Sequence, residues 1–324
     1  MKRVLWVAAG AGVGALGWVA LRGILWGEVA AIVKAMDWRI LMLALGAVIF
    51  AGLLETCRWK LLLPKEKVSV FRLFLVKNVG QGINSISPVR VLGEVSQVAI
   101  LAQAEGVKAP KVMSSIVMSK LFDLLVTVNL VGAGLIVLPQ FSGFKPIVVP
   151  LWGMTAVGLV ALFLFSRRLH KLPGVHKLRP LEETLGSLSA MLTHRRALAA
   201  CLALTSVAWV SIGVAAWLVA RAAGVEMPFW LVLILIVAVN LFTGAIPAPI
   251  GRVGAYELVT VSTLGLFAVN PSAALTFALV SHGVVFLPPL IVGISVLALE
   301  RRTGRALLAT AGAAVRSATQ FKGF

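Results

Sequence analysis

The apolar positions of this chain fall into runs of about 18 residues or more, each long enough as a helix to cross about 30 Å of hydrocarbon. Trp38 to Leu63, Val112 to Leu138, Pro146 to Phe165, Ala197 to Ala220 and Pro271 to Leu299 read as full spans. Val4 to Leu21, behind Met1-Lys2-Arg3, is basic and then apolar, as a signal peptide is. No small-x-small site leads into a polar start there, so a retained first helix is expected. Gly23 to Asp37 mixes apolar and charged residues and reads as an interfacial link.

Two places break this rhythm. Phe71 to Ile83 and Leu92 to Ala104 are apolar but too short to cross alone, and so are Phe229 to Ala245 and Val253 to Phe267. The first pair is separated by the stretch NSISPVRVLGEVSQ (Asn84 to Gln97), the second by GAIPAPIGRVGAYE (Gly244 to Glu257). A constant offset of 161 positions pairs Pro88 with Pro249, Gly93 with Gly254 and Pro110 with Pro271. Paired Gly/Pro-interrupted apolar segments in the two halves of a membrane protein point to a central binding site. Each pair is expected to form a re-entrant hairpin, its irregular turn tolerated at membrane depth only where protein or water surrounds it.

The charges fit one topology. With the N-terminus in the cytoplasm and both hairpins returning to their own side, Lys60 to Lys67, Lys108 to Lys111, Ser166 to Arg196 and the tail from Glu300 all lie inside. Only scattered cations such as Arg22, Lys34, Lys145 and Arg221 lie outside. Three spans then separate the hairpins, so they enter from opposite faces and the repeat is inverted. The expected architecture is an all-α polytopic membrane protein with about six full spans and two re-entrant helical hairpins. It comprises one transmembrane domain, 1–324, with repeat halves 38–165 and 197–299, a basic linker 166–196 and a basic tail 300–324. Its expected place is the plasma (inner) membrane, multi-pass, with both termini cytoplasmic.

Composition sharpens this picture. Of 324 residues 60% are hydrophobic and 13% charged, with mean hydropathy +0.99, far from the balance of a soluble domain. The net charge of +18 sits in loops between spans, which suits anionic headgroups rather than nucleic acid. Cys57 and Cys201 lie in apolar runs without C-x-x-C spacing and read as small hydrophobes.

Ionisable residues inside spans are costly, so each is a candidate for function. Glu55 and Arg58 lie one turn apart on the second span, and Lys120 and Asp123 one turn apart on a later one. In the first interrupted element Lys77, Gln81 and Asn84 share a helical face, and Arg90 and Glu94 lie four apart after the break. One reading makes these buried salt bridges that fix packing. The other makes them a polar cavity open to the cytoplasm, in which Arg90 and Lys120 hold a phosphate headgroup while Glu94 and Asp123 orient them. The second element offers Asn240, Thr243, Arg252, Tyr256 and Glu257, with Ser281 and His282 on the last span. Pro247 and Pro249 rule out a continuous helix there, and Gly251 and Gly254 allow close backbone approach. His282 reads either as a hydrogen-bonded packing residue or as a proton carrier.

No Ser-His-acid order, Walker loop, dinucleotide fingerprint or metal-ligand spacing is present, so catalytic residues, metals and cofactors are not expected. Asn84, Pro88, Gly93 and Glu94, then Pro247, Pro249, Gly251, Gly254 and Glu257, the turn from Gly265 to Pro271 and Ala273-Ala274 carry a resemblance. Over Trp38 to Leu299 the chain resembles the flippase-like transmembrane domain family found in lysylphosphatidylglycerol synthases and in stand-alone homologues. Arg252 stands where that family often has another glycine. The resemblance implies inverted repeats with re-entrant helices and movement of a lipid between leaflets, for an anionic, aminoacylated or polyprenyl-linked lipid. It does not imply the synthase reaction, since only a short tail follows Leu299. The expected function is therefore a non-enzymatic lipid translocase. The rivals are a secondary transporter or channel for a small solute, and a membrane enzyme acting on a lipid phosphate with Glu94 or Glu257 as base.

Overall fold

A computed structural model describes residues 24–87, 91–138, 195–245 and 252–299, with short pieces between 145 and 157. The described residues form helices and turns and no strands. The chain is an all-α polytopic membrane protein. In order, the helices are α1 (Trp26–Ala35), α2 (Trp38–Leu61), α3 (Val70–Ile86), α4 (Val91–Gln103), α5 (Ala109–Val137), α6 (Arg195–Ala222), α7 (Phe229–Ala245), α8 (Ala255–Gly265) and α9 (Pro271–Leu299).

Helices α2, α5, α6 and α9 are long and apolar enough to cross a bilayer. Much of their apolar surface is exposed: Met42, Leu43, Ile49 and Phe50 on α2, and Leu287, Ile291 and Ile294 on α9. Hydrocarbon is the solvent such faces require. Hydroxyls within the helices are silenced locally: Thr56, Ser96, Ser119 and Thr260 each donate to the carbonyl four residues earlier.

Helix ends follow their local chemistry. Ser69 accepts from the Arg72 N–H at the start of α3 (3.1 Å), and Asn270 accepts from the N–H groups of Ser272 and Ala273 (2.8 and 3.2 Å). Pro271 then occupies the first position of α9, where its missing N–H is harmless. The segment before α2, read as an interfacial link, is in part the helix α1. The expected first helix, most of the Pro146 to Phe165 span, the linker, the tail, Arg90 and the Pro88, Pro247, Pro249 and Gly251 positions lie outside the described residues.

The chain divides into two compact units interleaved in sequence. The first takes the described residues of Met1–Ala51, Thr127–Trp152 and Trp209–Phe286, and contains α7 and α8. Its core joins Val219, Ile236, Leu264 and Phe277, and Leu25 N–H donates to Ser272 Oγ (3.3 Å) to hold the start of α1. The second takes the described residues of Gly52–Val126, Gly153–Ala208 and Leu287–Phe324, and contains α3 and α4. Its core gathers Trp59, Leu73, Val76, Ile100 and Val112, with Trp59 Nε1 donating to Ser115 Oγ (2.8 Å).

Within that second unit α3 and α4 are separate helices packed directly against each other. Their approach is set by Gly93, where a Cβ would overlap the Gly80 carbonyl oxygen and the Asn84 side chain. Gly93→Val is therefore expected to push the two helices apart, at the roughly 1–3 kcal/mol typical of overpacking. Gly46→Ala, at a position with nothing within 4 Å, is the control. Melting of the two purified variants in detergent reads the difference, and equal melting would remove this account of the contact.

Candidate functional site

The second unit assembles its ionisable groups across helices rather than along them. Glu55 on α2 pairs with Lys77 Nζ on α3, and Lys77 also donates to the Gly52 carbonyl (3.3 Å). Arg58 on α2 holds Asp123 on α5 by both its terminal nitrogens (2.7 and 3.1 Å), and its Nη1 donates to Thr205 Oγ1 on α6 (2.8 Å). Glu94 at the first turn of α4 meets Lys120 on α5 (3.2 Å). The one-turn neighbours Glu55 and Arg58, and Lys120 and Asp123, thus take partners on other helices.

Asn84 organises the break. Its Oδ1 accepts from the Gly93 N–H (2.8 Å), one of the orphan donors at the start of α4, and its Nδ2 donates to Glu94 Oε2 (3.0 Å). The last turn of α3 is thereby pinned to the first turn of α4. The same amide orients the carboxylate that faces Lys120. Lys120 itself is open, with two-thirds of its side chain exposed (66%), against 22% for Glu94 and 5% for Arg58. It lies about 17 Å along α5 from Ala109, at 1.5 Å per residue, and so well inside an apolar helix.

In the first unit the second interrupted element has its own group. Glu257 Oε2 accepts from the Gly254 N–H (2.6 Å), closing the first turn of α8. Gly254 has φ 85°, a left-handed conformation that glycine adopts without steric cost. Glu257 Oε1 meets His282 Nδ1 on α9 (2.6 Å), both side chains being 12% exposed. Tyr256, buried, lies with its ring 4.6 Å from that of His282 and its hydroxyl 3.3 Å from Ser281 Oγ. Arg252 takes a positive φ of 60° just ahead of α8. The Asn240 amide turns back to the Ile236 carbonyl (2.8 Å) within its own helix.

Of the residues predicted from sequence, Glu55 and Lys77 are brought together, as are Asn84, Glu94 and Lys120, while Asp123 pairs with Arg58. Tyr256 and Glu257 converge on His282. Thr205, Trp59 and Ser115 were not foreseen. Their signal was slight, since a lone Ser or Thr in a span usually bonds its own helix. Among the described residues no group of three His, Cys, Asp or Glu side chains is arranged to hold a metal.

These features define a multi-pass membrane protein with acid–base pairs set between its helices. The chain matches the family described as the lysylphosphatidylglycerol synthase TM region over residues 5–293, and it belongs to that family. Comparison with curated proteins finds no match.

Proposed function

We propose that this chain is a lipid translocase, which passes a phosphate-bearing headgroup between leaflets while the acyl chains stay in hydrocarbon. The observation that carries the reading is the Glu94–Lys120 pair, an exposed ammonium inside an apolar helix beside the broken helix pair α3–α4. An exposed charge at such depth is expensive and marks a ligand path by default. Membership of a family named for a lipid synthase's membrane region supports a lipid as the cargo. The pairs Glu55–Lys77 and Arg58–Asp123 hold the helices that present Lys120 and Glu94, and we place Arg90 on the same path. Asn240, Arg252 and Tyr256 serve the second hairpin in this reading.

In this proposal the α3–α4 and α7–α8 pairs are re-entrant hairpins of an inverted repeat among about six spans. The basic segments lie on the cytoplasmic side of the plasma membrane, with both termini there. The protein is a carrier rather than an enzyme, and its partners are anionic, aminoacylated or polyprenyl-linked lipids.

Vesicles reconstituted with the purified chain test this, using tail-labelled lipids of each headgroup class and a membrane-impermeant quencher. The expected result is faster loss of inner-leaflet protection than in empty vesicles for at least one phosphate-bearing lipid. Rates equal to those of empty vesicles for every class would discard the translocase reading. Uptake of a soluble solute in the same vesicles would favour a solute transporter instead.

A further inference from the structure

We propose that the Glu257–His282 pair is a proton-binding site that couples lipid movement to a pH difference across the bilayer. This role rests on the translocase reading above and adds its driving force. The geometry assigns the proton. Glu257 Oε2 accepts from the Gly254 N–H and its Oε1 lies 2.6 Å from His282 Nδ1, so with the carboxylate ionised it is Nδ1 that carries the hydrogen. The proton is then gained and lost at Nε2. That nitrogen has no hydrogen-bond partner among the described residues, and the His282 side chain keeps 12% of its surface exposed.

The charge bookkeeping is simple. With Nε2 bare the pair carries the single negative charge of the carboxylate. One proton taken from water onto Nε2 makes an imidazolium–carboxylate pair of zero net charge, and its release restores the first state. No other bond is made or broken. Each state alters how strongly the imidazole holds the same carboxylate that caps α8. Histidine suits this work because its charge changes near physiological pH.

The surroundings isolate the pair. Tyr256 lies 4.6 Å from the His282 ring and Phe286 5.5 Å, centroid to centroid. Helices α7 and α9, and residues 127–137 of α5, contain no other ionisable side chain. Arg252, at the turn before α8, is the cation that reaches Tyr256 electrostatically. Elsewhere in the unit, Arg39 lies over Trp38 and Arg221 over Trp217. Neither these nor Glu28, Lys34, Asp37 and Glu226 hydrogen-bonds or ion-pairs with Glu257 or His282. A turn that needed only a cap would be served by a neutral Ser or Asn. An ionisable pair set among apolar helices points to a charge that changes.

The experiment uses the full chain in vesicles of phosphatidylcholine and phosphatidylglycerol, with tail-labelled phosphatidylglycerol as probe. A potassium ionophore holds the electrical potential at zero. Across a gradient of about one pH unit, one coupled proton permits up to about a tenfold bias of the probe between leaflets at steady state. The wild type is expected to approach that bias and to reverse it when the gradient is reversed. His282→Gln, which leaves the Gly254 contact in place, and Glu257→Gln are expected to give the same distribution with and without the gradient. A wild type that moves the probe but distributes it identically under either gradient overturns the proton site alone. So does a bias that survives in both variants. A phosphatidylglycerol probe that crosses no faster than in empty vesicles overturns proton-coupled movement of that lipid, whereas the translocase reading falls only if every headgroup class fails likewise.

Discussion

Asp123→Ala is expected to be among the most destabilising single substitutions in the chain. Arg58 is 4% exposed, and its guanidinium is held by both Asp123 oxygens and by Thr205 Oγ1. Its Nε already lacks a partner among the described residues. Removing the carboxylate leaves a buried cation with one neutral acceptor, and breaking such a pair from one side costs about 3–5 kcal/mol. The pair also ties α2 to α5, and the Thr205 bond ties α2 to α6, so the loss is felt across three helices. Thr205→Val should be milder, at about 1 kcal/mol, because one neutral acceptor is lost. The double change Arg58→Met with Asp123→Leu should recover most of the stability, since well-packed apolar pairs often replace buried ion pairs at little cost. Melting of the detergent-solubilised variants, followed by tryptophan fluorescence, gives the ranking. Asp123→Ala melting with the wild type would show that Arg58 finds another partner and that the pair does not hold these helices.

Lys120→Ala is the change expected to affect transport most while leaving the fold intact. Its side chain is 66% exposed, so truncation leaves no cavity and frees only the Glu94 carboxylate, which Asn84 still holds. A charge-assisted bond to a headgroup phosphate is worth about 1.5–3 kcal/mol, so movement of an anionic phospholipid should slow by roughly tenfold to a hundredfold. Lys120→Arg keeps the charge and should keep most of the rate. A probe with a neutral, phosphate-free headgroup should be indifferent to both changes. If Lys120→Ala slows every lipid equally, the residue acts on the protein's motion and not on the headgroup.

Much of the helical framework was legible in advance because its signals are local. Phe229 to Ala245 and Pro271 to Leu299 match α7 and α9 to the residue, bounded by Pro228 and by Asn270-Pro271. The ends of α3 at Ile86 and of α7 at Ala245 fall beside the stretches that Pro and Gly marked. The pairing of charges was not legible. Glu55 and Arg58 sit one turn apart and suggest each other, yet Glu55 takes Lys77 and Arg58 takes Asp123, 65 positions away. Spacing along a helix reports which side chains share a face, whereas the rotation of that helix against its neighbours decides what the face meets. A faint signal did exist. Glu94 is the single charge of α4, and Lys77 the single charge of α3 beyond its first turn, so each needed a partner from a neighbouring helix. His282 is likewise the single ionisable residue of α9, and its partner Glu257 came from α8.

The central claim, that a lipid headgroup reaches Lys120 and Glu94 inside the membrane, is tested most directly by light-activated cross-linking. Phosphatidylglycerol bearing a photoreactive group on its headgroup is added to membranes containing the full chain, and adducts are mapped by peptide mass spectrometry. The account predicts adducts on α4 and α5 around Glu94 and Lys120, lost when excess unlabelled phosphatidylglycerol competes. Adducts confined to the basic segments Lys60 to Lys67 and Lys108 to Lys111 would contradict it.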